Sequence, residues 1–280
     1  MDASLKKNIN QILKISINED KINSDITGKL LLSSKNISSE IKFKQSGIIC
    51  GTNIIDYILK GINKRIKSKW FFKEGAWVKK DAVVGVITGP EKIIIKLERI
   101  LLNFLQRTSG IATLTSLFNK HLKATKIKLL DTRKTTPGWR TIEKYAVRVG
   151  GGTNHRLNLN DAYLVKDNHI KICGGLKKTL DIIAVKNKIE LVEVEVKNIS
   201  EVKMVSRFNV KRIMLDNFRL NNIKKSIEII RKNPNIEIEV SGGVNLKKIK
   251  FISKLDIDFV SIGALTHSSP SLDISLNVLK

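Results

Sequence analysis

Six short apolar runs from residue 127 onward each end in polar or glycine-rich residues. The residues at these ends are Asp131–Lys134, Lys166–His169, Glu195–Asn198, Asp216–Asn217, Ser241–Gly243 and Gly263–His267. Nearly continuous runs of Val, Ile and Leu are typical of parallel strands buried on both faces. Roughly 20–35 residues separate successive run ends, which leaves room for one crossover helix each. The pattern predicts repeated βα units of a barrel, in which the carboxyl ends of the strands carry the chemistry.

The chain before about residue 108 has a different pattern and is predicted to form a separate domain. Leu5–Ile17 has apolar positions at helical spacing, and residues 71–90 contain short apolar stretches around glycine turns, which indicate antiparallel strands. A strongly apolar helix over about Glu91–Leu105 is expected to lead toward the barrel. We therefore predict an α/β fold with an α/β sandwich domain over residues 1–108, a barrel domain over residues 109–269, and a tail, residues 270–280, that packs back on the first domain.

The net charge of +25 is what a nucleic-acid-binding protein would show. Lysine is nevertheless spread along the whole chain together with abundant Ile and Asn, which indicates a compositional bias more than a basic stripe. The densest basic cluster, Lys64, Arg65, Lys67 and Lys69, is expected to be the solvated face of a helix. Aromatic residues make up only 5% of the chain, too few for base-stacking platforms. We expect no nucleic-acid partner.

The sequence also suggests a cellular compartment. Cys50 and Cys173 are the only cysteines, and their spacing matches neither a disulfide framework nor a metal site. The first ten residues are polar and contain lysines, which predicts no secretory signal peptide. No apolar run approaches the ~18 residues of a membrane span. We expect a protein of the reducing cytoplasm without a membrane partner.

Cationic side chains are concentrated near the ends of the earlier runs, at Arg133, Lys134, His155, Arg156 and Lys166. An arginine fork binds a carboxylate or phosphate through two hydrogen bonds, and a lysine acts as a point charge. A surface role stays open for each of these groups because lysine is abundant, although that abundance does not explain the two arginines. Together they predict a site for a small ligand with several negative charges.

The middle runs end in carboxylates. Glu195 and Asp216 lie where a hard cation such as Mg²⁺ or the hydroxyl groups of a sugar would be held. Glu193 lies two residues before Glu195 and therefore points to the same face of its strand. It is either a second carboxylate of the site or an interior residue paired with a lysine. Asp131 and Asp167 are ambiguous in the same way.

The last two runs end in small residues that suit phosphate. Barrels commonly bind a phosphate through backbone N–H groups at their last two strand ends, where glycine lets the backbone approach the anion. Ser241–Gly243 and Gly263–Ala264 occupy these positions. His267 follows the second loop and is expected to add a hydrogen bond. The two loops together predict a phosphate-binding site.

Several of these segments resemble those of a known enzyme family. TRKTTPGWR, EKYAVRVGGGTNHRLNLNDAYLVKDNHI, EVEVKN, IMLDNF, SGGVN and SIGALTH are similar to segments of quinolinate phosphoribosyltransferases. The upstream segments EDKINSDIT, GIICG and LERILLNFLQRTSGIATLT resemble the same family, so the resemblance covers nearly the whole chain. It implies an N-terminal α/β sandwich domain and a C-terminal open α/β barrel, TIM-like but incomplete. The count of six apolar runs agrees with that barrel.

The resemblance implies a reaction in de novo NAD synthesis. Quinolinate and phosphoribosyl pyrophosphate would give nicotinate mononucleotide, pyrophosphate and CO₂, with Mg²⁺ as cofactor. The quinolinate and pyrophosphate pocket of the family corresponds to Thr132, Arg133, Lys134, His155, Arg156 and Lys166. Positions that face the ribose hydroxyls and the metal correspond to Glu195 and Asp216. The loops for the 5′-phosphate correspond to Ser241, Gly242, Gly243, Ile262, Gly263, Ala264 and His267. The implied catalytic residues are Lys134, Lys166, Glu195 and Asp216.

The resemblance further implies a homodimer with shared active sites, and it leaves higher oligomers open. Arg99 in LERILLNFL corresponds to an arginine that contacts the quinolinate of the partner subunit. The alternative is an arginine paired within its own helix or with a nearby carboxylate.

Two other functions stay open at the level of sequence. A related phosphoribosyltransferase could use another acceptor such as nicotinate, although a monocarboxylate should need fewer cations than the five found here. A basic nucleic-acid-binding barrel is the second alternative, and its affinity would fall steeply with salt. The carboxylating enzyme is the favoured interpretation.

Overall fold

The computed structural model describes residues 1–33 and 35–279. The elements of the first half are α1 (Ala3–Glu19), α2 (Ile26–Leu31), β1 (Asn36–Phe43), β2 (Gly47–Ile48), α3 (Thr52–Ile62), β3 (Lys67–Trp70), β4 (Trp77–Val78), β5 (Val83–Pro90), α4 (Glu91–Asn119), β6 (Lys128–Leu130) and α5 (Arg140–Val149). Those of the second half are β7 (Tyr163–Val165), α6 (Asp167–Ile172), α7 (Leu176–Val185), β8 (Val192–Val196), α8 (Ile199–Val205), β9 (Arg212–Asp216), α9 (Leu220–Ile230), β10 (Glu237–Ser241), α10 (Leu246–Ile252), β11 (Phe259–Ser261), α11 (Ala264–His267) and β12 (Ile274–Val278).

The chain folds into two compact units. The first comprises Met1–Ser116, Lys134–Gly151 and Ala264–Lys280, and the second comprises Leu117–Arg133 and Gly152–Gly263. Two segments that follow residue 133 therefore belong to the same unit as the N-terminal residues. The domain boundary at residues 108 and 109 stays a prediction.

The first unit is built on an antiparallel sheet with the strand order β12–β1–β5–β3 in the described residues. Strand β12, near the end of the chain, pairs with β1 along five residues, from Phe43 opposite Ile274 to Ser39 opposite Val278. Along β1, Ser39, Ile41 and Phe43 are buried with the period of two that a half-buried strand requires. The C-terminal tail thus completes the sheet of this unit.

Helix α1 covers the core of the first unit. Its side chains Leu5, Ile9 and Ile12 are buried at the three- and four-residue spacing of an amphipathic helix. The helix begins after Asp2, whose carboxylate accepts a hydrogen bond of 2.8 Å from the Leu5 N–H. These helix residues join the apolar side of β1 in one hydrophobic core.

Helix α4 extends to Asn119, well past the predicted end near Leu105. The buried Thr108 hydroxyl lies 2.5 Å from the Cys50 carbonyl and 2.8 Å from the Phe104 carbonyl, so this polar side chain is satisfied. Gly110 also lies inside the helix, where a Cβ would overlap the carbonyl oxygen of Pro270. The glycine serves the close approach of another segment and does not end the helix.

The second unit contains the predicted parallel sheet. Its strand order is β6–β11–β10–β9–β8–β7 in the described residues, and each strand comes from one of the six apolar runs. Every neighbouring pair is parallel, so the carboxyl ends of the strands share one edge of the sheet. Strands β6 and β7 are the two edge strands of the sheet, as expected for an open barrel. The predicted α/β fold class is confirmed.

The basic cluster does not have the predicted structure. Lys64 and Arg65 lie in the turn after α3, and Lys67 and Lys69 belong to β3 instead of a helix. The four side chains are exposed to solvent, and the buried Ile66 among them follows the alternation of the strand. Among the described residues, no helix combines the length and apolar character needed to cross a bilayer.

Candidate active site

The carboxyl ends of β8, β9 and β10 place three predicted site residues on one face of the sheet. Asp216 and Ser241 end their strands and are direct partners in the parallel pairing. Glu195 is paired with Met214, which lies two residues before Asp216 on the same strand. Because paired residues project to the same side and side chains alternate along a strand, Glu195, Asp216 and Ser241 share one face.

A lysine approaches this face from the neighbouring strand β7. The Lys166 ammonium lies 3.2 Å from a carboxylate oxygen of Glu195. The Lys166 side chain is 47% exposed and that of Glu195 only 11%, so the lysine head lies on the solvent side of the pair. An ion pair this exposed is weak, which leaves the ammonium available to an anionic ligand.

The loops after β9 and β10 interlock. The Asn217 N–H donates to the Ser241 carbonyl at 3.0 Å, and the Asn217 amide donates to Asp216 at 2.9 Å. A side chain at position 242 would overlap the amide oxygen of Asn217. Gly242 has φ +84° and Asn217 has φ +57°, both in the left-handed region. Glycine is therefore required at 242, and the carboxylate of Asp216 is held beside the glycine loop.

Two guanidinium groups lie close together in the same unit. Arg133 follows β6, and the segment that leads to Arg156 is held beside β6 by a bridge between Leu130 and Thr153. Burial lowers the pKa of Arg156, and repulsion from Arg133 lowers it further. The Arg156 guanidinium also donates to the Ala162 carbonyl at 3.0 Å. Attraction from Glu193 and Asp161 opposes this lowering of the Arg156 pKa. Because an arginine fork binds a carboxylate or phosphate through two hydrogen bonds, the two side chains are suited to a ligand with such groups.

The ring of His155 contacts two carboxylates of the parallel sheet. Its Nε2 atom lies 3.3 Å from Glu193 and 3.6 Å from Glu239, both on strands of the sheet. Burial opposes protonation of the ring, but hydrogen bonds and attraction from the two carboxylates outweigh it and raise the pKa of His155 to about 9. A direct contact of His155 with substrate stays a prediction, because this nitrogen already faces two carboxylates.

Arg212 completes the interior network. Its guanidinium donates to Glu239 at 2.8 Å and to Glu237 at 2.9 Å, and it lies 3.6 Å from Glu193. It also stacks over the ring of Phe259 at 3.7 Å. Glu193 therefore pairs with a histidine and an arginine. The sequence had left two alternatives, a carboxylate of the site or an interior residue paired with a lysine. His155, Glu193 and Glu239 are close enough to surround a metal ion, but Arg212 and the protonated histidine already neutralise these carboxylates.

A cavity of about 450 Å³ lies in the second unit. Its lining includes Lys128, Tyr163, Arg212 and Phe259, the first residues of β6, β7, β9 and β11. His155 and Arg156 also line it. The strand residues of this lining lie mostly at the amino ends, which serve stability in barrels, whereas His155 and Arg156 come from the segment between β6 and β7.

Raising the pH through about 9 is expected to weaken the His155 network. The ring titrates near 6.5 in the unfolded chain and near 9 in the folded protein, so protonation favours folding. This contribution, on the order of 3 kcal/mol, is complete below pH ~6.5 and is lost as the pH rises through ~9. Urea unfolding of wild type and His155→Gln should show a gap in unfolding free energy that narrows between pH ~6 and ~10.

His121→Gln is the matched control for this measurement, because His121 lies outside the network. A gap between wild type and His155→Gln that stays constant with pH would show that folding does not raise the pKa of His155.

The other predicted residues are distributed between the units. In the second unit Thr132 is half-buried, and the buried Ile262 donates its N–H to the Leu130 carbonyl at 3.0 Å next to Gly263. In the first unit Lys134 is exposed, and its carbonyl accepts a hydrogen bond of 2.6 Å from the Thr266 hydroxyl. Ala264 begins α11, which ends with the exposed His267. Arg99 is also in the first unit, on the exposed face of α4.

Two aspartates that the sequence left ambiguous have defined contacts. Asp131 is fully buried and accepts from the His155 N–H at 2.9 Å, so it fixes the segment that carries Arg156. Asp167 pairs with Lys197 at 2.9 Å near the surface. Asp131 therefore holds the backbone next to Arg156 in place, and Asp167 forms an ion pair near the surface.

The sequence interpretation missed Asn217, Arg212, Glu239 and Lys248. The alternation of Glu237 and Glu239 with apolar residues in IEIEV is a signal for interior carboxylates. Lys248 has no comparable signal, because its contacts cross from α10 to two loops.

Comparisons with known proteins agree with the fold and identify a family. Residues 25–109 match the N-terminal domain and residues 111–277 the C-terminal domain of the quinolinate phosphoribosyl transferase family. A chloroplastic nicotinate-nucleotide pyrophosphorylase (carboxylating) of Arabidopsis thaliana is 40% identical over 254 residues, 84% of this chain and 72% of the relative. A probable nicotinate-nucleotide pyrophosphorylase (carboxylating) of Bacillus subtilis is 35% identical over 93% of this chain and 90% of its own. The structure of a nicotinate-nucleotide pyrophosphorylase from Francisella tularensis matches with a TM-score of 0.90 and 35% identity, over 98% of this chain and 97% of that one.

Proposed function

The chain belongs to the quinolinate phosphoribosyltransferase family, and from this premise we propose how it transfers a phosphoribosyl group to quinolinate. The reactants are quinolinate and phosphoribosyl pyrophosphate, and the products are nicotinate mononucleotide, pyrophosphate and CO₂. This is the activity of a nicotinate-nucleotide pyrophosphorylase (carboxylating), a pentosyltransferase of NAD synthesis. The observation that carries the site assignment is the common face shared by Glu195, Asp216 and Ser241 at the carboxyl ends of three adjacent strands.

Quinolinate is a dicarboxylate, and we assign its binding to the guanidinium groups of Arg133 and Arg156. Their mutual repulsion is relieved when two carboxylates lie between or beside them. Thr132, Lys134, Lys166 and His155 complete the proposed pocket. Lys134 and Lys166 are also proposed to contact the pyrophosphate group, because a flexible ammonium follows charge that moves onto a leaving group.

The ribose is assigned to Glu195 and Asp216, and its 5′-phosphate to the loops at the last two strand ends. The left-handed backbone of Gly242 and Gly243 exposes main-chain N–H groups, which suit phosphate oxygens. The proposed phosphate contacts are Ser241, Gly242, Gly243, Ile262, Gly263, Ala264 and His267. The interlock of Asn217 with Gly242 supports this assignment, since it keeps the ribose and phosphate contacts in a fixed relation.

Mg²⁺ is the proposed cofactor. The donor set fits this ion, because Glu195 and Asp216 offer carboxylate oxygens from one face of the sheet and Mg²⁺ takes one or two carboxylates together with substrate phosphates. When bound, Mg²⁺ would neutralise negative charge on the pyrophosphate.

The pyridine nitrogen of quinolinate attacks C1 of the ribose while the bond from C1 to the pyrophosphate oxygen breaks, and its electron pair leaves with pyrophosphate. Positive charge grows on the ribose ring during this step, and the carboxylates of Glu195 and Asp216 stabilise it. The quaternary pyridinium ring then accepts the electrons of the adjacent carbon–carboxylate bond. CO₂ leaves and the ring carbon takes a proton, so the chain needs no covalent nucleophile.

We further propose a homodimer in which Arg99 contacts the quinolinate of the partner subunit. A two-fold axis makes such contacts reciprocal. The exposure of the Arg99 side chain on α4 supports this assignment. The cytoplasm is the proposed location, since Cys50 and Cys173 are free thiols.

The activity is tested by incubating the purified protein with phosphoribosyl pyrophosphate, Mg²⁺ and quinolinate labelled with ¹⁴C in the 2-carboxylate. We expect labelled CO₂ and nicotinate mononucleotide in equal amounts. A parallel incubation replaces quinolinate by nicotinate. Formation of nicotinate mononucleotide from nicotinate, without CO₂ from quinolinate, would assign the chain to the alternative acceptor.

A further inference from the structure

Lys248 lies between the two loops that carry the proposed ribose and phosphate contacts. It is the third residue of α10, and its ammonium donates to the Gly242 carbonyl at 3.1 Å and to the Phe218 carbonyl at 3.4 Å. Phe218 follows Asn217 in the loop after β9, and Gly242 belongs to the loop after β10. One cation therefore ties both loops together from the side of the helix.

The position of Lys248 is unfavourable for its own helix. The first turn of a helix favours acidic side chains because the helix dipole is positive there, and Lys248 brings a positive charge to that end. Its side chain is half-buried, and burial lowers the pKa of Lys248, while attraction from Asp216 opposes this shift. The two loop carbonyls and the attraction from Asp216 favour the half-buried cation.

The two carbonyl contacts set the direction of the neighbouring N–H groups. The carbonyl and the following N–H of a trans peptide lie in one plane and point to opposite sides. Because the Gly242 carbonyl points to Lys248, the Gly243 N–H points away from the lysine. The Ser241 carbonyl accepts from the Asn217 N–H, so the Gly242 N–H points away from Asn217 in the same manner. Two successive peptide groups of the glycine loop are thus oriented, one by the Asn217 N–H and the next by the Lys248 ammonium.

We propose that Lys248 is a positioning residue that aims the Gly243 N–H at the 5′-phosphate of phosphoribosyl pyrophosphate and holds this loop beside Asp216. The inference rests on the proposed function, which assigns the glycine loop to that phosphate. Lys248 itself does not touch the substrate. Its loss leaves the Gly242–Gly243 peptide free to rotate, and the binding of phosphate then has to order the loop.

Calorimetric titration of Lys248→Met with ribose 5-phosphate, phosphoribosyl pyrophosphate and quinolinate tests the proposal. We expect both ribose phosphates to bind roughly tenfold more weakly, the effect of about one charge-assisted hydrogen bond. Quinolinate should bind within about twofold of wild type, since its proposed contacts lie on other strands. Lys248→Arg, which keeps a cation at this place, should recover part of the affinity.

Lys247→Met is the matched control, because Lys247 is the preceding residue of α10 and its side chain is exposed. It should bind all three ligands like wild type. Unchanged ribose 5-phosphate binding by Lys248→Met would overturn the inference, and equal losses for quinolinate would reduce Lys248 to a purely structural role. If Lys248→Met does not fold, Lys248→Gln is measured in the same way. A wild-type protein that binds no phosphoribosyl pyrophosphate would instead refute the proposed function.

Discussion

Asp216→Asn is expected to lower turnover roughly 10²–10³-fold while the affinity for quinolinate changes less than about twofold. The substitution keeps the size of the side chain and removes its charge. That charge matters most when the ribose ring becomes cationic, so its loss raises the barrier more than it weakens the ground state. Steady-state rates of CO₂ release give the turnover number, and calorimetric titration gives the quinolinate affinity.

Asp167→Asn is the matched control for this result. Asp167 also follows a strand of the parallel sheet, but its carboxylate pairs with Lys197 and has no proposed contact with substrate. Its turnover should stay within about twofold of wild type, because an exposed ion pair contributes little. If Asp216→Asn turned over at the wild-type rate, Asp216 would have no part in stabilising the ribose cation.

The parallel sheet was predictable because its signal is local. Each strand is a short, mainly apolar run of three to five residues followed by polar or glycine residues, and the run itself contains the information. One further argument, that the carboxyl ends of parallel strands lie at the same edge of the sheet, predicts that the polar residues after the strands lie together. Glu195, Asp216 and Ser241 on one face of the sheet follow from that argument and from the register.

The interior network was not predictable to the same degree, because its partners are remote in the sequence. His155 and Glu193 are separated by 38 residues, and their contact depends on where the segment beside β6 enters the sheet. Sequence placed both near a site but could not choose between a ligand and an interior ion pair for Glu193. The choice is decided by Arg212, which supplies a partly buried cation from the neighbouring strand.

The division into two units could not be predicted by cutting the chain at a single position, because each unit contains several separate segments. Residues 134–151 lie between β6 and β7 in the chain, yet they belong to the unit that contains the N-terminal residues. In that unit the Arg107 guanidinium donates to the buried Glu143 of α5 at 2.7 Å and to the Ser269 carbonyl at 2.8 Å. This charged contact joins α4, α5 and the C-terminal segment, three parts of the chain that no local pattern connects.

Mixing two inactive variants, Arg99→Ala and Glu195→Ala, is expected to restore about one quarter of wild-type activity. Arg99 is proposed to serve the site of the partner subunit and Glu195 the site of its own, so each hybrid dimer contains one intact site and one with both lesions. Random exchange of subunits makes about half of the dimers hybrids, each with one working site of two. The measurement is CO₂ release from labelled quinolinate after the mixed subunits have been dissociated and reassociated.

Mixing Glu195→Ala with Asp216→Asn is the control that separates this arrangement from simple reassembly. Both residues lie on the parallel sheet of one subunit, so every site of such a hybrid keeps one lesion and no activity should return. Recovery in both mixtures would mean that the sheet residues are themselves shared between subunits. If exchange is verified by mass spectrometry and the Arg99→Ala mixture stays inactive, Arg99 does not act across the subunit interface.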